Sequence, residues 1–376
     1  MKTTRRDLFS TVVSGAATTF TIMNSQLALK AQTNSALTVG LIGCGRRGTA
    51  ISKFFAQNEF SRVAQLCDIY DDQIVAAQKM FSGAKTFKNM DDVLASDVDA
   101  VYIATPPYLH PEHFEKAVKS RKHIFMEKPC GVDPAGCRRV LVASKSADPK
   151  KRITVDFQQR YGKDYKKAYE VFKSGELGKI VSVRASWIGG GLPVRDGVKN
   201  DEELMRNWLF YREKSGDIIV EQNCHNLDVV NWFMGTHPVK AEGYGGRMVR
   251  KSPGNILDNL TVNFSFENGV LFSYSANQFS QGGNDVSETF YCENGTMRTS
   301  RQGCSVWHKG KKEPEESKTT YDITKDAVDD FVDGARNGRF ENAALHGVPS
   351  TLTAIMARES IYKNGQEMTF SKIESM

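Results

Sequence analysis

The chain has 376 residues, 40% of them hydrophobic and 25% charged, with a formal charge of +6. Four cations (Lys2, Arg5, Arg6, Lys30) and one acid (Asp7) lie in the first 31 residues, so the remainder carries only +3, its Lys and Arg interspersed with acids. That length holds two domains with separate cores, and that charge pattern excludes a nucleic-acid face.

Residues 1–31, MKTTRRDLFSTVVSGAATTFTIMNSQLALKA, combine a basic start, a mildly apolar middle from Leu8 to Met23 and small residues before Ala31. This pattern, with the Arg5-Arg6 pair ahead of Leu8-Phe9, resembles a twin-arginine export signal. It implies a protein carried folded to the periplasm or otherwise exported, with no membrane anchor once the leader is removed. Beyond it no run is long and apolar enough to span a bilayer. The seven cysteines are scattered, odd in number and without a C-x-x-C pair, so neither a disulfide framework nor a zinc site is expected.

After the leader, ALTVGLIG (36–43) reads as an apolar strand, followed at once by GCGRRG and a helical TAISKFFAQ. Gly43, Gly45 and Gly48 form G-x-G-x-x-G in the strand–turn–helix setting that gives the motif its mechanism: a tight turn, close approach of a pyrophosphate, and close helix packing. Unpaired N–H groups at the helix start would face the phosphates. A second strand, 62–69, carries Asp68, 20 residues after Gly48. A carboxylate there accepts hydrogen bonds from ribose hydroxyls and repels a 2′-phosphate, which favours NAD over NADP. Arg46 and Arg47 act the other way, since a guanidinium can welcome that phosphate.

Alternation continues with helix 71–81, strand 98–105, helix 111–122, strand 123–129 and helix 133–147. The pattern predicts a doubly wound parallel sheet with its ligand at the strand carboxyl ends. Two such ends carry unusual residues, ATPPYLH (104–110) and EKP (127–129). The rigid Pro106-Pro107 turn would wall a flat ring, Thr105, Pro106 and His110 are candidate cofactor-binding residues, and Glu127 and Lys128 end a buried strand where an unpaired charge is costly.

GCGRRG, ATPPYLH and EKP, followed by SGDIIVEQNCHNLD (215–228), resemble the Gfo/Idh/MocA oxidoreductases from about residue 36 onward. The resemblance implies a Rossmann NAD-binding domain (35–152) and an α+β domain (153–376) with a large open, mainly antiparallel sheet that supports a homo-oligomer. It also implies a small-molecule substrate, frequently a sugar. On family analogy Gln158 and Arg160 would neighbour that substrate. One departure is that Glu221 stands where the family often has Asp.

In the second half ITVDFQQRY (153–161) reads as a strand leaving the first domain, followed by a helix over 164–174. The run 179–188 begins strand patterning, and Asn268-Gly269 and Asn294-Gly295 mark hairpins. The segment 189–217, rich in glycine, charge and aromatics, reads as a loop offering Trp208 and Tyr211 for stacking. The charged run 308–318 reads as a hairpin tip, and helices are predicted over 325–337 and 349–363.

Within 218–232, Glu221, His225 and Asp228 are spaced four and three apart, so one helix would stack them on one face. Oxidising an alcohol needs a base for the hydroxyl proton and a cation for the alkoxide. His225 suits the first, Lys128 the second, and Asp228 would orient the imidazole. Metal ligation by the trio and a non-catalytic NAD-binding sensor are the rival readings. An exported enzyme would keep its cofactor bound and reset it in place. It would either pass hydride from one sugar to another compound, or oxidise, eliminate and re-reduce one glycoside through a 3-keto intermediate.

Overall fold

The structure is a computed structural model that describes residues 36–195, 201–251 and 253–376. The leader, with Arg5 and Arg6, lies outside the described residues.

The first half alternates through β1 (Leu37–Ile42), α1 (Arg46–Gln57), β2 (Ser61–Cys67), α2 (Asp71–Met80), β3 (Lys85–Phe87), α3 (Met90–Ala95), β4 (Ala100–Ile103), α4 (His110–Lys119), β5 (His123–Met126), α5 (Pro134–Lys145) and β6 (Ile153–Val155). The six strands run parallel in the order β3-β2-β1-β4-β5-β6. Strands covered on both faces must be apolar throughout, and β4 and β5 (AVYI, HIFM) are buried at every residue. The order reverses between β1 and β4, which opens a crevice beyond their carboxyl ends.

The second half contains α6 (Lys163–Lys173), β7 (Ile180–Ile188), α7 (Asp201–Arg206), α8 (Arg212–Ser215), α9 (Ile218–Glu221) and α10 (Cys224–Met234). Strands β8 (Lys240–Gly246), β9 (Asn259–Ser265), β10 (Leu271–Asn277), β11 (Asp285–Cys292), β12 (Gly295–Ser300), β13 (Gly303–His308) and β14 (Glu315–Lys318) follow, then α11 (Thr324–Asn337), α12 (Ala344–Tyr362), β15 (Met368–Thr369) and α13 (Phe370–Ser375). The nine-stranded sheet has the order β14-β13-β12-β11-β7-β10-β9-β8-β15. Its pairings are antiparallel except β7 with β10. Asn268-Gly269 and Asn294-Gly295 turn hairpins, and the charged run 308–318 joins β13 to β14. Burial alternates along β9, so helices cover one face and the other stays open.

Three elements depart from the sequence reading. The strand beginning at Ile153 ends at Val155, because Asp156 turns its carboxylate inward to Arg47 and the chain then winds into a 3-10 turn, Gln158–Arg160. The segment 189–217 carries short helical turns, α7, Trp208–Phe210 and α8, among its described residues. Helix α12 starts at Ala344, not 349, so Pro349 sits inside it. Burial of almost its whole length outweighs the one hydrogen bond a proline forfeits. The late helix α11 returns to the first domain, where Phe331 meets Phe55 and Phe125 edge to face.

Candidate active site

The glycine loop is built as the strand–turn–helix motif requires. Gly43 has φ +99°, and a Cβ there would meet the Ala104 backbone at 2.7 Å. A Cβ on Gly48 would fall 2.0 Å from the Gly43 carbonyl, so only glycine lets α1 pack this close to β1. A Cβ on Gly45 would project into open space, the cradle a pyrophosphate would fill. No side chain caps the start of α1 and no acid lies in its first turn, so its free N–H groups face the cavity. Asp68 accepts N–H bonds from Cys44 (2.8 Å) and Tyr70 (2.9 Å), which fix its carboxylate at the far end of the loop. Burial raises its pKa. Across the cavity α7 is clamped to the ribose end: Arg206 lies 3.9 Å over the Tyr70 ring and forks onto Asp72 at 2.9 and 3.1 Å.

One continuous cavity of about 1100 Å³ runs from this loop to the end of β5, where it meets Lys128 and His225. Lys128 donates to the Glu221 carboxylate at 3.0 Å and to the Glu221 carbonyl, leaving one of its three N–H groups for a ligand. Burial opposes its charge, but Glu221, Cys224 and Glu127 outweigh that cost and raise its pKa. His225 is 4% exposed, stacked on Trp187 (centroids 6.0 Å, 22°) and met edge-on by Phe157 (6.1 Å, 84°). Its Nδ1 is buried without a hydrogen-bond partner, so Nε2 is the nitrogen available to a ligand. Burial first, then Lys128, Arg301 and Arg47, hold its pKa well below the ordinary range. It is a neutral imidazole beside a charged lysine.

Several residues are placed differently from the sequence reading. Glu221, His225 and Asp228 do not share one helix: α9 ends at Glu221 and α10 begins at Cys224, which turns Glu221 toward Lys128. Asp228 does not hold the imidazole. It is fully buried and accepts from Arg160 at 2.7 and 2.8 Å and from Ser350 at 2.7 Å. Arg160 therefore lines a second cavity on the other side, while Gln158, two residues earlier in the same turn, lines the main one. Trp208 lines the main cavity, whereas Tyr211 packs against the core.

Among the nucleotide-loop and strand-end residues, Thr105, Pro106, Glu127 and Arg46 line the cavity. The Arg47 side chain turns inward to Glu127 (2.9 Å), Asp156 (2.6 Å) and Gln158 (2.8 Å), so it cannot serve a 2′-phosphate. The His110 ring sits 2.7 Å from the Pro129 carbonyl and 2.8 Å from that of Thr105, tying the two strand ends together. Sequence reasoning missed Trp187 and Arg301. Trp187 is signalled only by its place near the end of a strand, and Arg301 by nothing local, since it reaches the cavity from a tight turn distant in sequence.

Residues 37–157 match the family model of the oxidoreductase family, NAD-binding Rossmann fold, and residues 165–298 match the GFO/IDH/MocA C-terminal domain. The chain belongs to the Gfo/Idh/MocA oxidoreductases. It is 26% identical over 235 residues to the 2,7-anhydro-N-acetylneuraminate hydratase of Escherichia coli (strain K12), a stretch spanning 62% of this chain and 59% of that protein. It is 24% identical over 281 residues to the inositol 2-dehydrogenase of Corynebacterium glutamicum (strain R), spanning 74% and 78%. Its fold is like that of levoglucosan dehydrogenase in complex with NADH and levoglucosan, with a TM-score of 0.76 at 18% identity over 89% of this chain and all of the other. An oxidoreductase domain protein from Kribbella flavida gives 0.79 at 18% identity, over 89% and 99%. This Gfo/Idh/MocA protein thus carries the NAD-binding Rossmann domain of an oxidoreductase family, and its glycine loop and Asp68 fit that cofactor.

Proposed function

We propose that this protein is exported and oxidises or reduces a ring hydroxyl of a sugar or glycoside, forming a 3-keto product, with NAD retained between turnovers. The observation that carries the reading is the single cavity joining the pyrophosphate cradle to Lys128 and His225. Bound there, NAD supplies the hydride-accepting nicotinamide. His225 takes the hydroxyl proton through the nitrogen that faces the cavity, and the free N–H of Lys128 holds the alkoxide. Trp208, which lines the same cavity, offers a flat apolar face for a pyranose ring. Position 3 is favoured because a ketone there acidifies the neighbouring C–H. Relatives named for inositol and solved folds named for levoglucosan support a polyhydroxylated ring.

A second reading keeps the same first step and adds elimination, water addition and re-reduction, cleaving a glycosidic bond with no net redox. The likeness to a protein named a hydratase favours it, since adding water changes no oxidation state. Export rests on the Arg5-Arg6 leader and explains why a cofactor would be retained. A homo-oligomer through the second sheet fits its open face, which leaves Val181, Tyr244 and Leu271 more than half exposed.

Protein purified without added nucleotide should carry NAD(H) through gel filtration. With an acceptor present, mass spectrometry of a glycoside panel should find products lighter by two hydrogens. Protein that emerges empty and needs fresh NAD for every turnover would refute retention. A panel left unchanged both with and without an acceptor would refute the substrate class.

A further inference from the structure

Arg301 stands in the turn between β12 and β13 and reaches into the main cavity. Its guanidinium carbon lies 4.9 Å from the centre of the Trp187 ring, on the same aromatic side chain that stacks against His225. The other two cations at this end have their counter-charges: Lys128 pairs with Glu221, and Arg47 with Glu127 and Asp156. Arg301 has none. No ion pair or hydrogen bond to it is found among the described residues, and its Nε is buried without a partner. The two carboxylates whose field reaches it are both engaged elsewhere. Asp322 accepts from Thr324, and Glu288 from Asn226 and Thr299.

A half-buried cation without a partner in the protein is costly, and contact with an aromatic face offsets only part of that cost. A ligand that brings a carboxylate supplies what is missing. The guanidinium presents a planar fork matched to two carboxylate oxygens, and the charge count is one against one. A phosphomonoester would bring nearly two charges to a single unpaired cation. We propose that Arg301 is a specificity-determining residue that selects a substrate bearing a carboxylate, a uronate or a glycoside of one, with the carboxylate at Arg301 and a ring hydroxyl at the Lys128–His225 pair. The proposal rests on the reading of this cavity as a sugar site and narrows its substrate class.

The test is calorimetric binding to the NAD-loaded protein of three methyl glycosides: glucuronate, its neutral methyl ester and glucose. Binding does not require turnover, so it separates this proposal from the reaction assigned above. The carboxylate form should bind roughly 10- to 100-fold more tightly than the ester, the range for a hydrogen-bonded charged pair. Arg301→Gln should collapse that ratio toward one, and Arg301→Lys should retain part of it. Equal affinities in the wild type, no binding of any of the three, or a ratio untouched by Arg301→Gln in a variant with wild-type melting would each overturn it. Selective binding of the uronate without hydride transfer would leave Arg301's role standing and remove the oxidoreductase reading for sugars. Turnover without selectivity would do the reverse.

Discussion

In the proposed mechanism a histidine kept neutral and a lysine kept charged, side by side, divide the work of an alcohol dehydrogenase between them. Among the described residues, no carboxylate stands behind His225. Two aromatic rings hold its plane instead, and burial with neighbouring cations depresses its pKa below the ordinary 6.5. A histidine whose pKa is lowered on folding is protonated only at lower pH, so the imidazole is already a free base at neutrality. The profile of kcat/KM should therefore stay flat through pH 6.5, the value at which an unperturbed histidine titrates. A limb at that pH abolished by His225→Asn would contradict the burial argument. Asp228 has a different job: it neutralises Arg160 inside the protein. Asp228→Asn should cost on the order of 3 kcal/mol of stability by stranding that cation, while hydride transfer in the folded fraction stays within about threefold. A loss of decades in rate with unchanged melting would restore its orienting role.

At the level of elements, the nucleotide half was readable because each step has a local cause. The apolar strand, the glycine turn and the helix are consecutive, and Gly43 and Gly48 are each required by a contact within a few residues or on the next strand. Asp68 was legible for the same reason. Asp68→Asn should narrow the preference for NAD over NADP in calorimetry, and equal affinities in the unmutated protein would contradict its role. Of the two arginines, only Arg46 remains placed to meet a 2′-phosphate, since Arg47 is spent on Glu127 and Asp156. The polar column of 218–232 was readable only as a cluster. Helical spacing foretold one face, but the chain breaks between α9 and α10, and the break hands Glu221 to Lys128 and Asp228 to Arg160. Periodicity cannot reveal such a break, because the partners that reward it lie far along the chain. Trp187 and Arg301 escaped for that reason too.

Across the whole molecule, the sheet of the second half acts as the floor on which the reactive helix stands. Glu288 on β11 is fully buried and binds Asn226 (2.6 Å), the residue after His225, together with Thr299 (2.7 Å). Burial pushes its carboxyl from 4.5 up to about 7. An acid raised on folding contributes stability that is complete below its unfolded pKa and is lost as pH rises through the folded one. The contribution of Glu288 should therefore be lost from about pH 5 to about pH 8, and the wild type should lose stability relative to Glu288→Gln across that range. Parallel melting curves for wild type and variant across this range would show that Glu288 does not titrate there.

The central claim, that Lys128 and His225 act on one hydroxyl beside the cofactor, is tested most directly by single-turnover hydride transfer in NAD-loaded protein. Lys128→Met and His225→Ala should each slow that step by roughly 10²- to 10⁴-fold, with His225→Ala leaving cofactor affinity unchanged. Either variant transferring hydride at the wild-type rate would remove its residue from the chemistry.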